Sequence, residues 1–291
     1  MKLIQNFHRK SKGLQFSLKL RLISGLRKLR EVTWLKSKLQ AVYFEDCLLE
    51  MQLEKFGPKF VAKYNTHIFS QSFEDAAISE VFSRIGTEDK TFIEIGVEDG
   101  LQNTSRLLLM LGWKGLWIEG DPLFYEQIQS HFRSEIASGQ LKVVNSMVTP
   151  ENVQDIIDGA GFNKAVDFIS VDIDQHTSHV FRAIKTRARV ACVEYNAHFP
   201  PTIDYETPYL AGASWDGSKM FGASLKALEV IASQKDMALV GCDLMGLNAY
   251  FVDRSLTGDL FPQPFTAENH YQPARYPFVS RVRGHRAITR S

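Results

Sequence analysis

The chain of 291 residues has room for one large domain, or for one domain with an appendage, and with 44% hydrophobic and 23% charged residues it can bury a sizeable core. Its formal net charge of +1 conceals an asymmetry: residues 1–38 hold eleven Lys or Arg against one acid, Glu31, so the remainder is net acidic and offers no basic stripe to nucleic acid. No run of about eighteen apolar residues occurs, and charges thread the N-terminal hydrophobic stretch, so the chain is expected neither to span a membrane nor to be exported.

At the N-terminus Leu18, Leu22, Leu26, Leu29, Val32, Leu35 and Leu39 recur at three- and four-residue steps, with Arg21, Arg27, Lys28, Arg30, Lys36 and Lys38 on the remaining surface. This spacing predicts an amphipathic helix. Three settings suit it: an anionic membrane surface, a protein partner touched through residues 14–40, or the chain's own domain. A second helix is predicted over 44–56, closed by Gly57-Pro58. Residues 1–66 therefore read as a basic helical extension.

Ser72-x-x-Asp75 predicts a capping-box start for a helix carrying Ala77, Val81 and Ile85 and stopped by Gly86. Strands are then predicted at 91–96, 115–119, 141–145, 166–172 and 190–195, alternating with helices at 103–111, 123–134, 150–158 and 176–185. Thr149-Pro150 supplies an N-cap with proline at the first helical position. Alternation of this kind, with near-continuous apolar strands, predicts an α/β, Rossmann-like doubly wound sheet covered on both faces. After a helix at 224–234, the strands 238–242 and 248–252 lie too close in sequence for a crossover helix. They form a hairpin, which makes the sheet seven-stranded, mainly parallel, with an antiparallel last strand. The domain is bounded at 67–265 and followed by a tail, 266–291. Cys47, Cys192 and Cys242 form no metal-ligand spacing, and Cys192 and Cys242 fall in apolar runs as reduced thiols, which suits a cytoplasmic protein, free or peripheral at the inner membrane surface.

The chemistry is concentrated at the strand ends. Phe92-Ile93-Glu94-Ile95-Gly96-Val97-Glu98-Asp99-Gly100 is answered by Trp117-Ile118-Glu119-Gly120-Asp121, the strand, glycine turn, helix and acid-tipped second strand that hold the ribose of an adenosine-bearing cofactor. A dinucleotide site wants G-x-G-x-x-G around its pyrophosphate, whereas here only Gly96 and Gly100 are present and Glu94 precedes them. A carboxylate repels phosphate and suits a cation. S-adenosyl-L-methionine, which carries a sulfonium and an ammonium and no phosphate, is the better fit, with Glu119 accepting from the ribose hydroxyls.

A second carboxylate cluster ends strands four and five: Asp172, Asp174 and His176, then Glu194, Asn196 and His198. Asp172, Asp174, Glu194 and Asn196 together are a hard-oxygen set for Mg²⁺ or Mn²⁺, which would bind and acidify a substrate hydroxyl. The other reading has Asp172 and Asp174 capping the next helix or meeting the methionine ammonium, with Glu194 structural. His176 and His198 are the bases near the crevice, or metal ligands, or solvated loop residues. Residues 197–222 form a long loop with Tyr205, Tyr209 and Trp215 available to stack on an acceptor.

From about 67 to 265 the chain resembles the FkbM-type family of class I S-adenosylmethionine-dependent methyltransferases. The likeness rests on Ser70-Gln71-x-x-x-Asp75, Phe92 to Gly96 with Gly100, Trp117-Ile118-Glu119, Ser170 to Asp174, Val193 to Asn196, Gly222 to Leu225, and Asn248 to Val252. It implies methylation of a hydroxyl on a glycan or other small polar acceptor, with Glu94, Gly96 and Gly100 as the cofactor loop, Glu119 as the ribose clamp and Gln71 at the entrance. The strand-tip acids are also similar to those of metal-dependent relatives typified by catechol O-methyltransferase, but no lysine follows Asp172 as that enzyme type requires. His176, His198 or a metal, with Asp174 beside them, would then serve the proton transfer. Two competing readings stay open: a nicotinamide-dependent oxidoreductase, and a non-catalytic membrane-surface or assembly protein on a degenerate methyltransferase fold. Homo-oligomerisation is compatible with each.

Overall fold

In the computed structural model of the chain the residues described are 32–34, 36, 39–64, 66, 68–213, 215 and 217–275. Much of the predicted N-terminal stripe, Leu18 to Leu29 and Leu35, lies outside them, as does the tail beyond 275. Residues 32–34, 36 and 39–56 are helical, the last stretch forming α1, and a 3-10 turn over Gly57–Lys59 ends it. By contacts the chain divides between Asp46 and Cys47, and the later unit carries the sheet.

Seven strands run β1 Thr91–Ile95, β2 Lys114–Glu119, β3 Leu141–Asn145, β4 Val166–Val171, β5 Ala188–Glu194, β6 Met237–Cys242 and β7 Asn248–Asp253. Their order across the sheet is β3-β2-β1-β4-β5-β7-β6. The first five are mutually parallel, and β7 is antiparallel to both β5 and β6. This is the Rossmann-like sheet with an antiparallel last strand that the sequence predicts. Burial on both faces explains the unbroken apolar strands: every residue of β4 and of β6 is buried. The strand order reverses between β1 and β4, and a doubly wound sheet leaves its crevice there, outside the carboxyl ends of the strands.

Helices α2 Glu74–Ile85, α3 Arg106–Met110, α4 Pro122–His131, α5 Arg133–Ala137, α6 Val153–Gly159, α7 Thr177–Ala183, α8 Leu225–Gln234 and α9 Ala267–His270 complete the fold. Several begin differently from expectation. Ser72 does not cap α2; the reciprocal pair is Ser70 and Asp75. The Ser70 hydroxyl accepts from the Asp75 N–H at 3.2 Å, and the Asp75 carboxylate accepts from the N–H groups of Ile68, Phe69 and Ser70 at 2.7, 2.7 and 2.9 Å. Nor do Thr149 and Pro150 open a helix, because α6 starts at Val153 behind Asn152. Ser224 is a true N-cap, accepting from Ala227 N–H at 3.2 Å. All three cysteines are free thiols, with Cys192 and Cys242 buried as expected. Among the described residues no helix is long and apolar enough to cross a membrane.

Candidate active site

A cavity of about 410 Å³ opens at the reversal point, lined from the tips of β1, β2, β4 and β5 and from the first residue of β7. Eight carboxyl side chains reach its wall: Glu74, Glu94, Glu98, Glu119, Asp121, Asp172, Asp174 and Glu194. Among the described residues no lysine or arginine does. In a partly enclosed site such a field repels phosphate and attracts a cation.

The glycine turn is held from below by Glu119, which is 7% exposed. One carboxylate oxygen accepts from the N–H groups of Val97 and Glu98 at 3.0 and 2.8 Å, and the other from Asp121 N–H at 2.8 Å. A carboxylate has about four acceptor positions, so one stays open beside the cavity. Gly96 has φ +83°, and a Cβ there would lie 1.8 Å from the Asp172 carbonyl oxygen, so glycine is required by the approach of β1's end to β4's end. Gly100, at φ +75°, is not on the cavity wall. A Cβ on it would strike the Phe132 and Trp117 rings at 2.7 and 2.9 Å, which makes it a packing glycine rather than a cofactor contact.

Glu94 also departs from its expected role. It is buried, and its carboxylate accepts from Asn103 Nδ2 at 2.7 Å, Thr104 N–H at 2.8 Å, Ser105 N–H at 2.9 Å and Ser105 Oγ at 2.5 Å. Trp117 Nε1 donates to the same hydroxyl at 2.8 Å. Glu94 therefore fixes the turn before α3, which is why the helix predicted from 103 begins only at Arg106. Burial raises its pKa, against the pull of those donors. To a cation it offers its field rather than a hydrogen bond.

On the other side Asp172, Asp174, Gln175 and His176 reach the wall from the end of β4, Glu194 from the end of β5, and Gln71 from the segment before α2. Burial, and then the charges of Asp172 and Asp174, push the Glu194 carboxyl well above its usual range. Asn196, placed by sequence among the metal ligands, is turned elsewhere. Its Nδ2 donates to the carbonyls of Lys219 and Phe221 at 2.8 and 2.9 Å, and its Oδ1 accepts from His198 N–H at 3.0 Å. Among the described residues no three His, Cys, Asp or Glu side chains are grouped to hold a metal ion. The expected metal set does not fit.

His176 lines the cavity, but His198 does not. The Nε2 of His176 lies 3.1 Å from the Leu210 carbonyl, while its Nδ1 is buried without a hydrogen-bond partner. A carbonyl accepts only, so Nε2 carries the proton and Nδ1 the lone pair. Burial lowers the ring's pKa, opposed by the hydrogen bond to the Leu210 carbonyl and aided by a smaller push from His179. Of the loop aromatics only Trp215 reaches the wall; Tyr205 stacks on Phe199 at 4.3 Å and Tyr209 donates to Glu151 at 2.8 Å.

Among the wall residues that the sequence analysis does not single out are Glu74 and Asn248. Glu74 accepts from Asn248 Nδ2 at 2.8 Å, and Asn248 is the β7 partner of Glu194. Burial, with Asp243 adding repulsion, raises the Glu74 pKa to about 7. The available signal is the antiparallel strand itself, whose first residue must lie beside the last residue of the strand it pairs with, here Glu194 of β5.

No family model and no curated protein matches the chain. Solved structures similar to it include an S-adenosylmethionine-dependent methyltransferase from Clostridium acetobutylicum ATCC 824, at 9% identity over 60% of this chain and 88% of that one, TM-score 0.39. Others are the N-terminal domain of EvdMO1 with SAH bound, at 9% identity over 63% and 80%, TM-score 0.40, and an O-methyltransferase from Bacillus cereus in complex with SAH, at 15% over 56% and 72%, TM-score 0.39. Likeness at this level carries no functional weight for this chain.

Proposed function

We propose that the chain is an S-adenosylmethionine-dependent O-methyltransferase acting on a hydroxyl of a glycan or another small, uncharged polar acceptor. The observation that supports it is a cavity at the reversal point of the sheet walled, among the described residues, by eight carboxyl groups and no lysine or arginine. That wall suits a ligand with two positive centres and disfavours a pyrophosphate. It disfavours phosphorylated or otherwise anionic acceptors for the same reason.

When bound, S-adenosylmethionine supplies an electrophilic methyl group. Around it Glu119 offers its open acceptor position to a ribose hydroxyl while holding the 97–98 turn in place. Asp172 and Asp174 at the end of β4 stabilise positive charge, and His176, the one histidine on the wall among the described residues, takes the proton that the acceptor oxygen loses. Direct displacement at the methyl needs no covalent bond to the protein, so the residues act by orientation and charge. No step is assigned to a metal.

The test compares ligands by melting temperature. S-adenosylhomocysteine is expected to raise it and NAD to leave it unchanged. In Glu119→Ala the affinity for S-adenosylhomocysteine is expected to fall roughly tenfold or more, the loss of about one charge-assisted hydrogen bond together with its support of the turn. A shift with NAD and none with S-adenosylhomocysteine refutes the reading.

A further inference from the structure

The N-terminal helical residues leave large apolar side chains in water. Val32, Trp34, Leu39 and Tyr43 are 64%, 59%, 62% and 73% exposed. Val32, Leu39 and Tyr43 stand seven and four residues apart, a spacing that sets them on one helical stripe, with Lys36 exposed among them. Exposed apolar stripes of this kind mark interaction surfaces. The surrounding sequence says what covers this one. Residues 1–38 hold eleven Lys or Arg and a single acid. A second copy would bring the same positive charge against itself. A sheet of anionic lipid headgroups satisfies both features at once, since it neutralises dispersed cations and accepts apolar and aromatic side chains at the acyl boundary.

We propose that this segment seats the protein on a membrane surface rich in anionic lipid, lying in the interface rather than crossing it. The inference is independent of the methyltransferase reading, since binding of S-adenosylhomocysteine tests one and vesicle binding the other.

Full-length protein is mixed with phosphatidylcholine vesicles with and without phosphatidylserine and sedimented, at low and at high salt. Expected is several-fold more protein in the pellet with phosphatidylserine, falling with salt. A double variant, Leu39→Ser with Tyr43→Ser, should pellet several-fold less while keeping the melting temperature of the parent. Trp34 fluorescence should move to shorter wavelength on adding the anionic vesicles, a change absent in Trp34→Phe. Failure to sediment with phosphatidylserine vesicles overturns the proposal, as does retention of the double variant at the parent level. Duplex DNA binding that survives the double variant, in place of lipid binding, assigns the segment to nucleic acid and also overturns it. So does self-association of lipid-free protein that the double variant abolishes.

Discussion

Glu94 accepts from four protein donors and Glu119 from three, and this difference of one acceptor position separates a structural carboxylate from one that can still receive a ligand. Glu74 is a third case, a buried acid whose pKa is raised to about 7 by burial and by Asp243. Over the pH range from the ordinary glutamate value up to about 7, the unfolded chain gives up this proton and the folded chain keeps it. Stability due to Glu74 is thus full in acid and is lost as pH rises through that window, by on the order of 3 kcal/mol. Glu74→Gln is expected to reduce the fall in urea midpoint between about pH 5 and about pH 8 by that share. An unchanged fall would mean that Glu74 ionises normally. The sequence places Glu119 and Gly96 at one turn because strand, turn and strand are close in sequence, and both line the cavity. Glu74 and Asn248 are 174 residues apart and meet only through the sheet order, so no local pattern announces them.

At the scale of elements, the loop after β5 is tied at its base. Asn196 N–H donates to the Ala223 carbonyl at 2.7 Å, Thr207 N–H to Gly222 at 2.9 Å, and Ser224 N–H to Tyr205 at 2.9 Å. The Asn196 side chain adds bonds to Lys219 and Phe221, and Trp215, between them and the base, reaches the cavity. Asn196→Ala is expected to cost about 2 kcal/mol and to make 197–222 the first site of limited proteolysis, with affinity for S-adenosylhomocysteine unchanged. Parent-like resistance would show that the other contacts suffice. Strands were legible from apolar runs and the loop from its prolines, but the amide of Asn196 was misread. An Asn at a strand end can meet a metal or a backbone equally well, and its choice depends on a chain segment more than twenty residues later. The starts of α2, α3 and α6 failed for a related reason: a polar residue near a helix is claimed by whichever donor arrives first in space.

Across the whole molecule, charge is partitioned, with the net positive charge in residues 1–38 and carboxyl groups around the cavity. The strand count and the antiparallel finish followed from spacing alone, while the dispersal of the expected metal set did not, because it needed side-chain directions. Since Asn196 is turned away and no three donors group among the described residues, adding Mg²⁺ or Mn²⁺ is expected to leave melting temperature and S-adenosylhomocysteine affinity unchanged. A metal-dependent rise in either would restore the set. The contact of Gly96 with the Asp172 carbonyl has a further consequence. With no room for even a methyl group, the tip of β1 is held against the tip of β4, so on the proposed function the methyl donor's seat would be fixed to the β4 side of the cavity. On the same reading, adjustment to a new acceptor would come from the rim that hangs on Asn196, and loop grafts at 197–222 are expected to change acceptor preference while leaving S-adenosylhomocysteine affinity unchanged.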